Sequence, residues 1–461
     1  MAEPLIQPAR RRDLLLLAAS SLVRPVPAAA QVGGAAAGAR LVIIRDAETE
    51  TLLRNFANPL FRAAGVDPAL VRIVILRDAA INSFVATGNR LFITTGLLMQ
   101  ARSALEVVGV LAHETGHIAG GHLARLPEAQ RNALIESVAA LLIGVAAGVA
   151  SGNAAGFGAA LGAQQMALRG YLSFTRGMEA SADQAALTFL DRLHWSARGL
   201  LAMFDRLQNE EALLSDEQDP YLLTHPLTSA RIAAVQDHVD HSPWSNAKLP
   251  AGFERRFAMV RAKLHGFLDS GAATLARIPA ADATPPARYA RAIALYRLGH
   301  TAPALALLDG LLRDDPSSPW LNELKGQILF DAGQVRAALV PYRTAIRLAP
   351  DQPLIRAALG RALIETGDRT LLPEAVQQLQ TALDAARGDA DTWRSLGTAW
   401  GRLGNIGQAD LALAEEALLN GDVPAAHRLA GQAVARLPPG PARLRAQDIG
   451  NAVKRANREG F

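Results

Sequence analysis

The chain has 461 residues, enough for two or three domains, and 50% of them are apolar while only 5% are aromatic. The net charge is +4, with no basic block beyond the N-terminus, so nucleic-acid binding is not indicated. The chain has no cysteine, which excludes disulfides, Cys-ligated metals, thiol catalysis and a lipid-anchored N-terminal Cys. Alanine and leucine dominate the composition and predict a mostly helical protein.

The first 30 residues have the order of a secretory signal peptide. Arg10-Arg11-Arg12 precede an apolar run over 14–23, and the small residues Ala28-Ala29-Ala30 follow. This order predicts export by the Sec route, or by the Tat route on the weaker twin-arginine pattern, with cleavage after Ala30. An uncleaved anchor or a basic tail is the alternative, although the apolar run is short for a bilayer span. We expect a periplasmic protein.

Three short β-type segments precede residue 100. Residues 71–76 are β-branched and predict a strand, while residues 82–86 and 90–94 predict the two strands of a hairpin. In a peptidase, an extended substrate could add to the free edge of such a sheet. A plain structural hairpin is the open alternative. The residues of this candidate edge strand are Asn82, Phe84 and Gly88.

The pattern His113-Glu114-Thr115-Gly116-His117 lies in an apolar stretch that predicts a buried helix. On a helix the two histidines stand one turn apart, close enough to share one metal ion. Glu114 lies about 100° further around, beside a water on that metal. Two imidazoles and a carboxylate favour zinc with one open position. An ordinary helix with surface or core histidines is the alternative, and His122, about 140° from His117, is left out of the metal shell.

Residues 134–162 form a long Ala/Gly-rich stretch. Three interpretations stay open for it: a buried core helix, a flexible lid over the active site, and a segment that lies against a membrane surface. We favour a helix followed by a mobile loop.

A second helix, predicted from residue 176 onward, carries Glu179 and Asp183 one turn apart among alanines. Glu179 fits a third metal ligand, and the small alanines around it leave room for another helix to pack closely. Asp183 fits the carboxylate to which a metal-bound imidazole gives its other N–H. A solvated acidic helix face is the alternative.

Residues 224–232 place a histidine and an arginine near a helix start. Pro226 keeps His225 out of a helix, and Thr228 is a candidate N-cap for the helix that carries Arg231. A guanidinium near a metal could stabilise the oxyanion of a tetrahedral intermediate. A fourth histidine could instead close the zinc site and hold the enzyme latent. A turn with a surface His and Arg is the alternative.

Together these segments resemble the HtpX/BepA-like zinc metallopeptidases, a gluzincin family, over roughly residues 41–240. The matching stretches are 110–117, 179–183, 224–226 and Arg231-Ile232. The resemblance implies one Zn²⁺ per chain held by His113, His117 and Glu179, with Glu114 as general base, Asp183 as orienting partner, His225 as a fourth, regulatory ligand and Arg231 near the substrate carbonyl. Many members have Pro before the residue matching Gly88, and this chain has Thr87. The transmembrane helices of the HtpX branch are missing, which points to the exported branch.

The C-terminal half repeats with a period of 34 residues. Leu298-Gly299, Ala332-Gly333 and Thr366-Gly367 recur at this spacing, and the pattern continues irregularly at Gly404 and Gly421. A 34-residue helix–turn–helix period is typical of tetratricopeptide repeats, which stack into a superhelix with a concave binding face. Unrelated helical hairpins are the alternative.

The predicted fold class is therefore α+β and mostly α. A gluzincin-type metallopeptidase domain with a small β-sheet precedes an all-α tetratricopeptide superhelix. The predicted boundaries are a signal peptide at 1–30, the peptidase at 41–245, a helical connector at 246–284, repeats at 285–440 and a tail or capping helix at 441–461.

The expected function is a zinc endopeptidase of the periplasm that degrades misfolded or stalled proteins in envelope quality control. The resemblance suggests outer-membrane β-barrel clients, and their insertion machinery as a partner of the repeats. A peripheral membrane contact stays open. The competing interpretation is a chaperone or scaffold that acts through its repeats and carries a latent zinc site.

Overall fold

The computed structural model describes residues 23–25, 42–122, 177–213 and 225–459. Its described residues fall into two compact units, with residues 42–269 in one and residues 270–459 in the other. The first unit combines a small sheet with helices, and the second is helical throughout its described length. The predicted class, α+β and mostly α, is confirmed.

The sheet is mixed and has the strand order β1-β2-β3-β5-β4. Its strands are β1 Val23–Pro25, β2 Val42–Ile44, β3 Arg72–Leu76, β4 Ser83–Ala86 and β5 Arg90–Thr94. β3 and β5 run parallel, while β4 and β5 form the predicted antiparallel hairpin and leave β4 at one edge. β1 lies inside the predicted signal peptide, so cleavage after Ala30 would remove it and leave β2 at the other edge.

The helices of the first unit surround one central helix, α3. They are α1 Ala47–Ala63, α2 Thr95–Gln100, α3 Ala104–Ala119, α4 over residues 177–192, α5 Arg198–Leu213, α6 Ser229–His241 and α7 Phe253–Leu268. α3 begins at Ser103, whose hydroxyl accepts the Glu106 N–H at 3.3 Å. The apolar residues of its first three turns are fully buried except Leu105, as expected of a helix packed against others on most sides.

Helix α7 lies within the predicted connector, residues 246–284, and packs against α1, α2 and α3 in the first unit. A buried ion-pair cluster joins it to α1. Lys263 Nζ lies 2.5 Å from Asp46 Oδ2 and 3.4 Å from Glu48 Oε2, and all three residues are at most 5% exposed. Because both carboxylates are buried, their charge depends on this ammonium for compensation.

Replacing Lys263 with alanine should therefore destabilise the first unit by about 3–5 kcal/mol, the range measured when one partner of a buried ion pair is removed. The free energy of unfolding from urea titration would measure this change. Lys248→Ala is the matched control, because Lys248 is exposed and its loss should change stability by about 0.5 kcal/mol or less. Equal stability of the two variants would contradict the cluster's role.

The second unit is a series of helical hairpins that confirms the predicted repeat. Helix α8, Gly271–Arg277, precedes the pairs α9 Pro285–Arg297 with α10 Thr301–Asp314, α11 Pro319–Asp331 with α12 Val335–Leu348, α13 Pro353–Glu365 with α14 Leu372–Ala385, α15 Ala390–Arg402 with α16 Ile406–Leu419, and α17 Val423–Arg436 with α18 Pro441–Glu459. Each helix packs against the next one. The repeated glycines Gly299, Gly333, Gly367 and Gly404 end the first helix of the first four pairs at left-handed φ values between +72° and +84°.

Three predicted features lie wholly or mostly outside the described residues: the signal peptide except for residues 23–25, the segment 134–162 with its three open interpretations, and Thr224. The predicted tail or capping segment after residue 440 forms α18, in which Ala446 and Ile449 are buried. Across the described parts of the chain, none of the helices combines the length and apolar character that crossing a membrane requires.

Candidate metal centre

Three separate elements bring the predicted metal ligands together. Helix α3 supplies His113 and His117 from consecutive turns, and helix α4 supplies Glu179. The segment before α6 supplies His225, which Pro226 holds in non-helical backbone. The potential ligand atoms of these four residues all lie within 4.8 Å of one another, and all four residues are buried except His117, whose side chain is 11% exposed.

Five separations between ligand atoms define the centre. His113 Nε2 lies 3.1 Å from His117 Nε2, 3.2 Å from His225 Nδ1 and 3.3 Å from Glu179 Oε2. Glu179 Oε1 lies 3.3 Å from His117 Nε2, and Glu179 Oε2 lies 3.1 Å from His225 Nδ1. The donor atoms thus face one common point from four directions.

Close packing of α3 against α4 makes this convergence possible. A Cβ atom added to Gly116 would come within 2.6 Å of the Ala182 carbonyl oxygen and 2.9 Å of its Cα. Gly116 stands one residue before His117, and Ala182 one residue before Asp183. The glycine therefore sets the distance at which the acidic face of α4 meets the histidine face of α3.

Asp183 holds the imidazole of His113 as predicted from its spacing. Its Oδ1 lies 2.8 Å from His113 Nδ1, which directs His113 Nε2 to the centre. Burial lowers the pKa of His113, but the hydrogen bonds and charges of Asp183 and Glu179 outweigh burial and raise it to about 9. The same carboxylates would stabilise a divalent cation.

Arg231 lies at the metal centre, and its guanidinium is directed to the carboxylates of Asp183 and Glu179. Its Nε and Nη2 donate to Asp183 at 2.6 Å and 2.9 Å, and its Nη1 lies 3.1 Å from Glu179 Oε2 and 2.8 Å from the Pro226 carbonyl oxygen. Thr228 caps α6 as predicted and so sets the position of this arginine. The guanidinium also stacks over Phe204, 5.0 Å from the ring centroid. These contacts direct the guanidinium of Arg231 to Asp183 and Glu179, whereas the sequence analysis predicted that Arg231 lies near the carbonyl group of the substrate.

Glu114 is fully buried beside the centre. Its polar neighbours are the Ser83 side chain and His225, whose Nε2 lies 3.4 Å from Oε1, and neither contact is a well-formed hydrogen bond. Burial raises the pKa of Glu114, and the charges of His225 and His113 lower it by less. A carboxylate without a firm partner is free to exchange a proton with a small molecule in the site.

The edge strand meets the centre through one main-chain atom. The carbonyl oxygen of Ser83, the first residue of β4, lies 3.1 Å from His225 Nε2. Asn82 is buried and its backbone bonds to Thr94, Phe84 stacks on Phe92 at 4.9 Å, and Gly88 lies in the turn beyond the other end of β4. Their role as a substrate-binding edge stays a prediction, and the contact at Ser83 was not predicted.

His122 is the second residue that the sequence analysis missed. Its Nδ1 lies 3.0 Å from Nδ1 of His117, and the residue is 4% exposed. The 140° offset assumed a helix that continues through His122, but α3 ends at Ala119. The Gly120-Gly121 pair was the available signal, because glycine just past a helix end often reverses the chain.

The cluster of His113, His117, Glu179 and His225 lies in a region of the chain that matches a peptidase family. Residues 45–239 match Peptidase family M48, and residues 320–414 match the tetratricopeptide repeat. The chain thus combines an M48 peptidase domain with tetratricopeptide repeats.

Curated relatives align with most of the chain. The β-barrel assembly-enhancing protease of Yersinia pestis is 26% identical, over 84% of this chain and 80% of that protein. The β-barrel assembly-enhancing protease of Escherichia coli K12 is 24% identical, over 75% of this chain and 71% of that protein. Among solved structures, YrrB, described as a tetratricopeptide repeat protein with an unusual peptide-binding site, matches with a TM-score of 0.32 and 19% identity, over 37% of this chain and 89% of that chain.

Replacing Gly116 with alanine should lower peptidase activity on the order of 10²-fold, because the added methyl group forces α4 and its Glu179 away from α3. Activity and the metal content retained after dialysis would measure the effect. Gly431→Ala is the matched control, since that helical glycine has nothing within 4 Å of an added Cβ. Normal activity in Gly116→Ala would show that the α3–α4 spacing does not set the site.

Proposed function

We propose that this metallopeptidase is a zinc-dependent endopeptidase of the periplasm that cleaves misfolded or stalled outer-membrane β-barrel proteins. The observation that carries the proposal is the convergence of His113, His117 and Glu179 on one point beside the buried Glu114. Exported location rests on the signal-like residues 1–30. The client class rests on the edge strand β4 and on the names of the relatives.

The donor set fits zinc. Tetrahedral zinc with bonds of 2.0–2.1 Å separates its ligand atoms by about 3.3 Å. Five separations here, which involve both oxygens of Glu179, lie between 3.1 and 3.3 Å, and one ligand atom from each of the four residues lies within 4.8 Å of the others. Two or three imidazoles with one carboxylate are also the nitrogen and oxygen ligands that zinc prefers in peptidases, and the chain has no thiol to select a softer metal.

Glu114 is the general base of the proposed reaction. Zinc, when bound, polarises the scissile carbonyl and lowers the pKa of a neighbouring water. Glu114 takes the proton of the attacking water and passes it to the leaving amine. Its burial raises its pKa, which strengthens it as a base for the first transfer.

Asp183 and Arg231 hold the ligands in position. Asp183 accepts the Nδ1 proton of His113 and so leaves the Nε2 lone pair for the metal. Arg231 binds both Asp183 and Glu179, and these ion pairs keep two buried carboxylates at fixed places. We therefore assign Arg231 as a positioning residue, because its donors are directed to the carboxylates.

His225 closes the site in two ways at once. Its Nδ1 lies 3.2 Å from His113 Nε2 and 3.1 Å from Glu179 Oε2, so it would be a fourth ligand where a catalytic zinc needs an open place for water. Its Nε2 donates to the Ser83 carbonyl oxygen, a main-chain acceptor at the start of the edge strand. An extended substrate that pairs with β4 there would compete with this contact. We therefore propose a latent state that substrate binding opens.

The unpaired strands of a β-barrel protein are suitable substrates for this site, because they could pair with its edge strand. A stalled β-barrel exposes strand edges whose N–H and C=O groups lack partners, and β4 offers the complementary edge. Helical repeats suit the recruitment of a client or of the barrel insertion machinery. The relatives named β-barrel assembly-enhancing proteases align with 84% and 75% of this chain.

Cleavage of an unfolded outer-membrane β-barrel protein, compared with its folded form, tests this proposal. We expect the zinc-loaded chain to cleave the unfolded form alone, to lose activity after chelation and to regain it with one equivalent of zinc. Equal cleavage by the chelated protein would contradict the zinc mechanism.

A chaperone or scaffold is the second candidate, and the four-ligand arrangement around His225 favours it. In that case the repeats act and the metal site stays closed. Glu114→Gln would then prevent client aggregation as well as the parent chain does, and neither protein would cleave the client.

A further inference from the structure

The end of helix α3 folds back onto one of its own histidines. Gly121 has a left-handed φ of +60°, its N–H bonds to the Ile118 carbonyl at 3.1 Å, and the His122 N–H bonds to the His117 carbonyl at 3.2 Å. This pair of hydrogen bonds is the Schellman motif, which places the residue after the left-handed glycine against the helical residue five positions earlier. The backbone thus fixes His122 over His117.

The contact that results is polar. A Schellman motif commonly brings two apolar side chains together at these positions. Here the two imidazoles meet edge to face, with centroids 5.0 Å apart and Nδ1 atoms 3.0 Å apart. His122 is 4% exposed, so water has little access to compete for this hydrogen bond.

Gly120 provides the space for the His122 ring. A Cβ atom at this position would lie 2.4 Å from His122 Nε2 and 2.8 Å from its Cδ2. The ring therefore rests directly on the Gly120 backbone, between the helix end and His117. Two glycines thus serve one contact: Gly121 turns the chain, and Gly120 leaves room for the imidazole.

We propose that His122 is a positioning residue for the zinc ligand His117, through a hydrogen bond between their Nδ1 atoms. This inference rests on the proposed zinc function. His117 Nδ1 donates its proton, and His122 Nδ1 accepts it with the proton of His122 on Nε2. The acceptor leaves His117 in the tautomer whose Nε2 lone pair faces the centre, as Asp183 does for His113.

A neutral acceptor suits this position because the centre already holds two carboxylates. Asp183 and Glu179 lie on the other side of the site, with Arg231 between them. A carboxylate in the place of His122 would add another buried negative charge close to Glu114 and Glu179. An imidazole fixes the same tautomer without that charge.

The test measures zinc release from the full chain. His122→Leu should release zinc to a chelator about 10- to 100-fold faster than the parent, the size of effect found for lost orienting partners of metal ligands. His122→Asn, whose Oδ1 can replace Nδ1 as the acceptor, should release zinc nearly as slowly as the parent. His241→Leu is the control, because His241 is exposed on α6.

Nitrogen-15 NMR of labelled histidines adds a direct measure. We expect a His117 Nδ1 proton protected from exchange in the parent and in His122→Asn but not in His122→Leu. Unchanged zinc release in His122→Leu would overturn the proposal. Equally fast release from the Leu and Asn variants would overturn it too, since packing and not the hydrogen bond would then matter.

Gly120→Ala tests the same contact if His122→Leu fails to fold. The added methyl group displaces the His122 ring without changing its chemistry, so fast zinc release supports the proposal and parental release contradicts it. A failure of the proposed zinc function would give results that differ from a failure of the His122 proposal. The parent itself would then take up no zinc, or Glu114→Gln would cleave client at the parental rate.

Discussion

Replacing Glu114 with glutamine is expected to lower the rate of client cleavage by about 10²- to 10⁴-fold, the usual contribution of a general base. Glutamine keeps the size and shape of the side chain but accepts no proton. Zinc should stay bound at one equivalent, because Glu114 is outside the cluster of four potential ligand residues. Cleavage of an unfolded β-barrel client, with zinc content measured in parallel, checks both expectations.

Glu106→Gln is a suitable control for this experiment. Glu106 lies on the same helix and is buried, but it interacts with Arg102 and Arg206 at the start of α3. Its replacement should leave the chemistry of cleavage unchanged. Cleavage by Glu114→Gln at the parental rate would show that the proposed mechanism is wrong.

Replacing His225 with alanine should raise the rate of client cleavage, on the order of tenfold or more if the closed state dominates at rest. The variant loses the fourth ligand at the centre and frees the Ser83 carbonyl oxygen at the edge strand. Three potential ligands remain, so one zinc should still bind. Initial rates at saturating zinc measure the effect.

The double variant Glu114→Gln, His225→Ala should be inactive, because opening the site does not replace the general base. His241→Ala is the matched control, since it removes an exposed histidine from the same region. An unchanged or lower rate of cleavage in His225→Ala would show that His225 does not hold the enzyme in a latent state. It would leave the assignment of His113, His117 and Glu179 untouched.

Local periodicity was enough to predict much of the centre. His113 and His117, and also Glu179 and Asp183, are pairs of residues one helical turn apart, and such spacing puts both members on one face wherever the helix lies. The 34-residue repeat was predictable for the same reason, because each unit makes its contacts with its neighbours. The resemblance to a metallopeptidase family then related the two helices to each other.

Two assignments needed the folded structure. One depends on the residue at which a helix ends, and the other depends on contacts between helices that are distant in the sequence. His122 contacts His117 only because α3 stops at Ala119 and Gly121 turns the chain, whereas helical spacing placed it on another face. Arg231 was predicted near the substrate carbonyl. Its observed partners, Asp183 and Glu179, come from a different helix about fifty residues earlier.

The edge strand shows an intermediate case. Alternating residues and the turn at Gly88 predicted the β4–β5 hairpin, and the structure has it. The contact of the Ser83 carbonyl with His225 has no sequence signal, because every residue carries a carbonyl oxygen. The sequence predicted that a substrate pairs with this edge through main-chain hydrogen bonds, and the link from the edge to the centre is also made by a main-chain atom.

The coordination shell of the metal bound to the purified full chain tests the central claim most directly. A crystal structure with anomalous scattering at the zinc edge would show it. We predict one zinc bound by Nε2 of His113, Nε2 of His117, the carboxylate of Glu179 and Nδ1 of His225. A zinc bound elsewhere, or none at these residues, would contradict the proposed function, and water in place of His225 would contradict the latent state.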